Sequence, residues 1–186
     1  MAEIKPFKAI RPRRDLASLV ASRSYVTYSK KSLRNKLDTN PYTFLHIINP
    51  DYNDNIKRSK NQRFHLVKKK FDEFIEDSIL FEDPKESFYI YEQLKNNNRY
   101  IGIIACVSID EYLNGNIKIH EETITKREEM FKDYLNITGF NADPVLLTYN
   151  DNDNIENIIE KYSRERSEYE FTTTNKVCHK LWRISN

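Results

Sequence analysis

The sequence predicts an α/β fold in the broad, mixed α+β sense: a single mixed, partly antiparallel sheet of about five to seven strands flanked by helices. Three observations predict it. Ile101, Ile103, Ile104, Ala105, Cys106 and Val107 form a run that is apolar on both faces, the pattern of a central buried strand. Phe64, Val67, Phe71, Phe74 and Ile75 recur at three- and four-residue spacing within 55–77, the pattern of an amphipathic helix. Asn96, Asn97 and Asn98 join the β-prone stretch Phe88–Tyr91 to the apolar run, so at least that pair of strands is antiparallel.

The remaining elements follow in chain order. Pro6-Phe7 and Pro12 bracket an extended entry segment, and Asp15 can cap a short helix carrying Leu16, Leu19 and Val20. A basic helix is predicted near Lys30 to Leu37. Asn40-Pro41 then turns the chain into Phe44–Ile48, read as a buried strand. Asp83-Pro84 is a second turn. After the apolar run, Thr125 and Glu128 have capping-box spacing, with Thr125 at the N-cap of a helix whose inward stripe is Arg127, Met130, Phe131, Tyr134 and Leu135. Pro144 precedes a β-prone run, Val145 to Tyr149. Ile155, Ile158, Ile159 and Tyr162 mark a last helix, and Glu170–Thr173 with Val177–Ile184 read as a closing hairpin.

At 186 residues the chain reads as one domain, 1–186, large enough to bury a core without staples. Charged residues make up 31% of it, yet twelve Tyr, ten Phe and one Trp are too many aromatics for a disordered segment. The net charge of +2 hides an asymmetry: residues 1–36 hold ten Lys/Arg against Glu3 and Asp15. Such an arm attracts phosphate. Most aromatics, however, fall in predicted strands and helix stripes, and Lys68–Lys70 read as a solvated helix face, so no nucleic-acid partner is expected. Cys106 and Cys178 read as free thiols of a reducing compartment. No apolar run is long enough to cross a membrane, and a cytoplasmic protein is expected.

Several chemistries are excluded. The three glycines, Gly102, Gly115 and Gly139, stand more than ten residues apart, so neither a dinucleotide fingerprint nor a P-loop can form. A zincin motif starting at His120-Glu121 would need His where Ile124 stands, and Cys178-His179 would point to opposite faces of a strand. No structural metal is predicted. What remains is the box of Lys118, His120, Glu121 and Thr123. An adjacent imidazole and carboxylate near a helix start suit a general base and its orienter. The same residues also suit the positive end of a helix dipole, and spacing leaves both readings open.

The chain resembles a bacterial and archaeal family catalogued as domain of unknown function 1015. The resemblance rests on Ile4-Lys5-Pro6-Phe7, Arg11-Pro12, Asn40-Pro41-Tyr42-Thr43-Phe44-Leu45-His46, Tyr89-Ile90-Tyr91-Glu92-Gln93 and Gly102-Ile103-Ile104. It continues in the block Gly115 to Thr123, in Ala142-Asp143-Pro144-Val145 and in His179-Lys180-Leu181-Trp182. Two departures stand out. Ser24-Tyr25-Val26-Thr27 replaces a Pro-Tyr-Asp-Val turn, so the turn's acidic residue is missing. Members of the family also run to about twice this length, so the resemblance makes the chain an N-terminal half, from a truncated or split form, with the other half encoded separately as a partner.

By a further analogy with ParB and sulfiredoxin-like proteins, the resemblance implies half of a nucleotide-dependent small-molecule phosphotransferase, kinase-like, using ATP and magnesium and inactive alone. Under that reading Glu121 is the catalytic base or metal-holding carboxylate, His120 orients it, and Lys118, Thr123 and Arg127 meet substrate and phosphate. The alternative is a non-catalytic binding or interaction module, or a truncated remnant.

Overall fold

Ile90 and Trp182 face each other across two paired strands, and Ile159 of a helix closes over them; all three are buried. This cluster organises the first of two compact units in the computed structural model, which describes residues 2–118 and 124–185. Among the described residues the strands are β1 (Ile4–Lys5), β2 (Ile10–Pro12), β3 (Leu80–Glu82), β4 (Phe88–Lys95), β5 (Asn98–Ile104), β6 (Cys106–Val107), β7 (Tyr169–Thr172) and β8 (Cys178–Ile184). The helices are α1 (Ala17–Val20), α2 (Lys30–Thr39), α3 (Leu45–Ile48), α4 (Lys60–Glu76), α5 (Ile109–Leu113), α6 (Thr125–Thr138) and α7 (Asp153–Ser163). With 38% of the described residues helical and 21% in strands, the fold is mixed α+β.

The first unit is built on a four-stranded antiparallel sheet in the order β5-β4-β8-β7. The β4–β5 hairpin turns through Asn96 and Asn97, both with positive φ, 50° and 65°, a conformation Asn tolerates better than most residues. One face of the sheet carries Ile90, Trp182, Ile101 and Ile103, against which Ile155, Ile159 and Tyr162 of α7 pack. Trp182 Nε1 donates to the Glu165 carbonyl at 3.0 Å, so the indole is buried without an orphan donor. The N-terminal segment is laid along the sheet by a two-bond bridge between Phe7 and Ser87, by the Phe7 ring against Tyr89, and by β1 pairing with β6.

The second unit holds α2, α3, α4 and α6. Ser59 and Gln62 form a full capping box at the start of α4, and Val67, Phe71 and Phe74 are its buried stripe. Phe71 stacks on Phe140 with centroids 4.1 Å apart, and Tyr134 of α6 meets Phe64 edge-on at 5.2 Å.

The fold class is as the sequence predicts, and several details differ. Among the described residues eight strands are distributed between the four-stranded sheet and two-stranded pairs, and the β1–β6, β4–β5, β4–β8 and β7–β8 pairings are antiparallel. The apolar run is not a central strand. Ile101–Ile104 lies on the sheet edge, and after Ala105 the chain leaves β4 so that Cys106 and Val107 pair with β1 instead. Phe44–Ile48 contains α3, whose turn is closed by the Asn49 amide on the Leu45 carbonyl at 2.9 Å, and Leu45 and Ile47 are fully buried on it. Their i, i+2 spacing also fits one face of a strand, which is why the sequence reads as one. Val145–Tyr149 belongs to no strand.

Thr125 is not an N-cap: α6 starts at Thr125 itself, Ile124 takes the cap position, and no side chain among the described residues caps it. Of the predicted α6 stripe, Met130, Phe131 and Leu135 are exposed. Asp15 pairs with Arg13 rather than capping a helix. No helix among the described residues is long and apolar enough to cross a membrane.

Candidate functional site

The predicted His-Glu-x-Thr box falls largely on residues that the structure does not describe. His120, Glu121 and Thr123 lie outside the described residues. Lys118 is exposed after the turn that follows α5, and Arg127 is exposed in the first turn of α6; the two belong to different units. The first-turn amides of Arg127 and Glu128 both reach the Ile124 carbonyl, at 2.7 and 3.2 Å. In the turn where the resemblance calls for an acidic residue, the Thr27 hydroxyl donates to the Ser24 carbonyl at 2.7 Å and closes the 3-10 turn.

The basic arm is locally partnered at several of its charges. Arg13 pairs with Asp15, Lys5 with Glu3 and Arg34 with Asp38, and Arg14 donates to the Ser167 carbonyl. Arg11 is the most deeply engaged. Its Nε donates to both oxygens of Asp83, at 2.9 and 2.8 Å, and its Nη2 lies 2.8 Å from Oδ1. Tyr89 donates its hydroxyl to Asp83 at 2.7 Å, and Arg183 stands 3.3 Å away. Arg11 Nη1 also donates to the Tyr169 hydroxyl, which in turn donates to the Pro12 carbonyl. Burial alone would raise the Asp83 carboxyl, yet the bonds from Arg11 and Tyr89 and the charges of Arg11 and Arg183 hold it below the usual carboxylate range. This network fastens the N-terminal segment to the sheet.

The chemistry-bearing cluster that sequence reasoning missed sits on the sheet face opposite Trp182. Strand alternation puts Tyr89, Tyr91 and Gln93 of β4 on one side, and register sets Gln93 opposite His179, which is itself opposite Phe171. The His179 ring stacks on Phe171 at 5.2 Å and on Tyr91 at 6.0 Å. Its Nδ1 is 2.7 Å from the Tyr91 hydroxyl, which accepts from Gln93 Nε2 at 3.2 Å; its Nε2 is 3.4 Å from Thr173 Oγ1. Burial lowers His179 and raises Tyr91, so both stay neutral near pH 7. The network then assigns one tautomer: Tyr91 donates to Nδ1, and Nε2–H faces Thr173.

Such a pair can hold a proton between a phenol and an imidazole and present ring faces to a planar ligand. The signal available in the sequence was the alternation Tyr-x-Tyr-x-Gln, which names one face of one strand; its partner on β8 depends on register. Cys178, one residue away, points to the other face, as its place in a strand requires. Among the described residues no group of three or more His, Cys, Asp or Glu side chains could hold a metal ion.

Fold and site together define a mixed α+β protein built on an antiparallel sheet, with a histidine held among aromatic rings on one of its faces. The chain belongs to the family described as Protein of unknown function (DUF1015), which matches residues 4–186. Comparison with curated proteins and with solved structures returned no match.

Proposed function

We propose that the protein is a non-catalytic binding and interaction module whose partner is a polypeptide. One observation carries this reading. Val145, Leu146, Leu147 and Tyr149 are 81%, 89%, 42% and 52% exposed, in a stretch that joins no strand or helix. Consecutive β-prone side chains left in solvent are costly for a solitary protein and suit addition to the sheet edge of another chain. The partner named first is a separately encoded second half of the longer family form, and the cytoplasm is the proposed compartment. Mixing this chain with the second half of a longer family member, followed by light scattering on a sizing column, tests it. A stable one-to-one complex that Leu146→Asp weakens supports the reading. Independent elution of the two at high micromolar concentration removes it.

A second reading, the phosphotransferase, is favoured by the start of α6. The N-cap residue, Ile124, has no capping side chain, and exposed Arg127 stands in the first turn, where the helix's positive end favours an anion. In this reading Arg127 and Lys118 would hold phosphate, Glu121 would act as base with His120 orienting it, and Thr123 would meet substrate. ATP with magnesium, when bound, would supply the transferable phosphoryl group. Adding ATP and magnesium to the full chain should move the amide signals of Lys118 and Arg127; unmoved signals defeat this reading. In an intact homologue, unchanged phosphotransfer after Glu121→Gln removes Glu121 from the mechanism.

A further inference from the structure

We propose that a cleft on the second unit, between α4 and the turn after α3, binds a small organic monoanion with a planar or apolar body, of the aryl carboxylate class. One wall is a single face of α4: Leu66, Lys69, Lys70 and Glu73 stand at helical spacing i, i+3, i+4 and i+7. The other wall is His46, Pro50 and Tyr52. The cavity measures about 350 Å³, at the small end of the range for ligand pockets, about 300–1,000 Å³.

The shape and polarity of the walls select the body of the ligand. The rings of His46 and Tyr52 meet edge-on, centroids 5.5 Å apart at 63°, and so fix each other's orientation. His46 Nε2 lies 3.0 Å from the Asn40 carbonyl, an acceptor only, so Nε2 carries the hydrogen and the ring is tied in place. With Leu66 and Pro50 beside them, these rings give the cleft an apolar side, opposite the charged groups of α4.

The charges select the head group. Glu73 is shared by two ammonium groups: Lys70 Nζ is 2.8 Å from Oε2, and Lys69 Nζ is 4.0 Å from Oε1. Neighbouring Lys68 is bound elsewhere, to Asp72 at 2.6 Å. Two lysines against one carboxylate leave a single positive charge on the cleft. A cation is repelled, a polyanion finds too few partners, and one carboxylate balances the charge. Lys69 is largely exposed and pairs only at the limit of contact distance, so it is the group free to turn to an incoming anion.

The test is an amide proton–nitrogen correlation titration of the full chain with para-hydroxybenzoate, run beside benzamidine and inorganic phosphate. Saturable shifts confined to residues around His46, Tyr52, Lys69, Lys70 and Glu73 are expected with para-hydroxybenzoate alone. Lys69→Gln should weaken them about tenfold, the scale of one charge-assisted contact, and Glu73→Gln should tighten them by removing the internal competitor. Leu66→Trp, which fills the slot, should abolish them while leaving the rest of the spectrum in place. Absence of saturable shifts, equal binding of benzamidine, tighter binding of phosphate, or an unchanged titration in both Lys69→Gln and Leu66→Trp would each overturn the proposal.

Discussion

Arg11 and Asp83, 72 residues apart, meet as a fork on a carboxylate: Arg11 Nε reaches both Asp83 oxygens within 2.9 Å, and Asp83 has no exposed surface at all. A charge so buried is tolerated because its acceptor positions are filled, by Arg11, by the Tyr89 hydroxyl and by Arg183. Removing one partner leaves the others in place but the carboxylate short of its strongest donor. Arg11→Met is therefore expected to cost about 3 kcal/mol, the lower end for breaking a buried pair. The joint change Arg11→Met with Asp83→Leu should recover part of that loss, since the buried carboxylate is gone and the charge that loses its partner, Arg183, reaches solvent. Trp182, the only tryptophan and part of the core of the same unit, reports this unfolding by fluorescence in urea.

The same carboxylate sets an acid limit. Its folded value lies below its unfolded one of about 3.9, so between the two the unfolded chain binds more protons and stability rises with pH. The contribution is complete above about pH 5 and is lost as pH falls through the folded value. Asp83→Asn should flatten the dependence of the urea midpoint on pH in this range, at the expense of lower stability near neutrality. An equally steep acid limb in that variant would assign it to other carboxylates.

On the far half of the same sheet face, Tyr91 and His179 make a prediction of the same sign in a higher pH window. Burial lowers His179, so acidification forces a proton on a ring whose Nδ1 already accepts from Tyr91. The unfolded histidine titrates at about 6.5, hence the stability this ring contributes is complete above that pH and declines as pH falls below it. Tyr91→Phe should cost about 1 kcal/mol at pH 8, the worth of one hydrogen bond, and should change the pH at which the His179 ring protons titrate. An imidazole titration identical to the wild type would show that the hydroxyl does not govern this histidine.

How much of this was legible in the sequence depends on the range of the interaction that decides each feature. The β4–β5 turn was legible because Asn96 and Asn97 supply locally the positive φ that a tight turn needs. The stripe of α4 was legible because Val67, Phe71 and Phe74 repeat every three or four residues. The position of Ile101–Ile104 at the sheet edge was not, because apolar residues on both faces reveal partial burial but not how many neighbours a strand has. The His179 cluster required the register of β4 on β8, and the clamp on Asp83 required a contact across 72 residues. The α4 cleft escaped notice since Lys69, Lys70 and Glu73 look like any solvated helix face until His46 and Tyr52 are placed opposite.

Two serine/threonine helix starts look alike in sequence and differ in structure, which makes them a direct comparison. Ser59-x-x-Gln62 and Thr125-x-x-Glu128 both fit a capping box, but only the first forms one: Ser59 Oγ accepts from the Gln62 amide, and Gln62 Oε1 accepts from the Ser59 amide at 2.8 Å. Thr125 already lies inside α6, one residue past the cap position held by Ile124. Losing a true cap orphans an amide at the helix start, so Ser59→Ala should cost about 1 kcal/mol. Thr125→Ala replaces a weak helix former by the best one at a helical position, so its effect should stay within about 0.5 kcal/mol and favour the helix. Thermal unfolding followed by far-ultraviolet circular dichroism compares the two variants with the parent chain. A loss at Thr125 equal to that at Ser59 would mean that the threonine caps α6 in solution, and that the start of this helix lies one residue later than described.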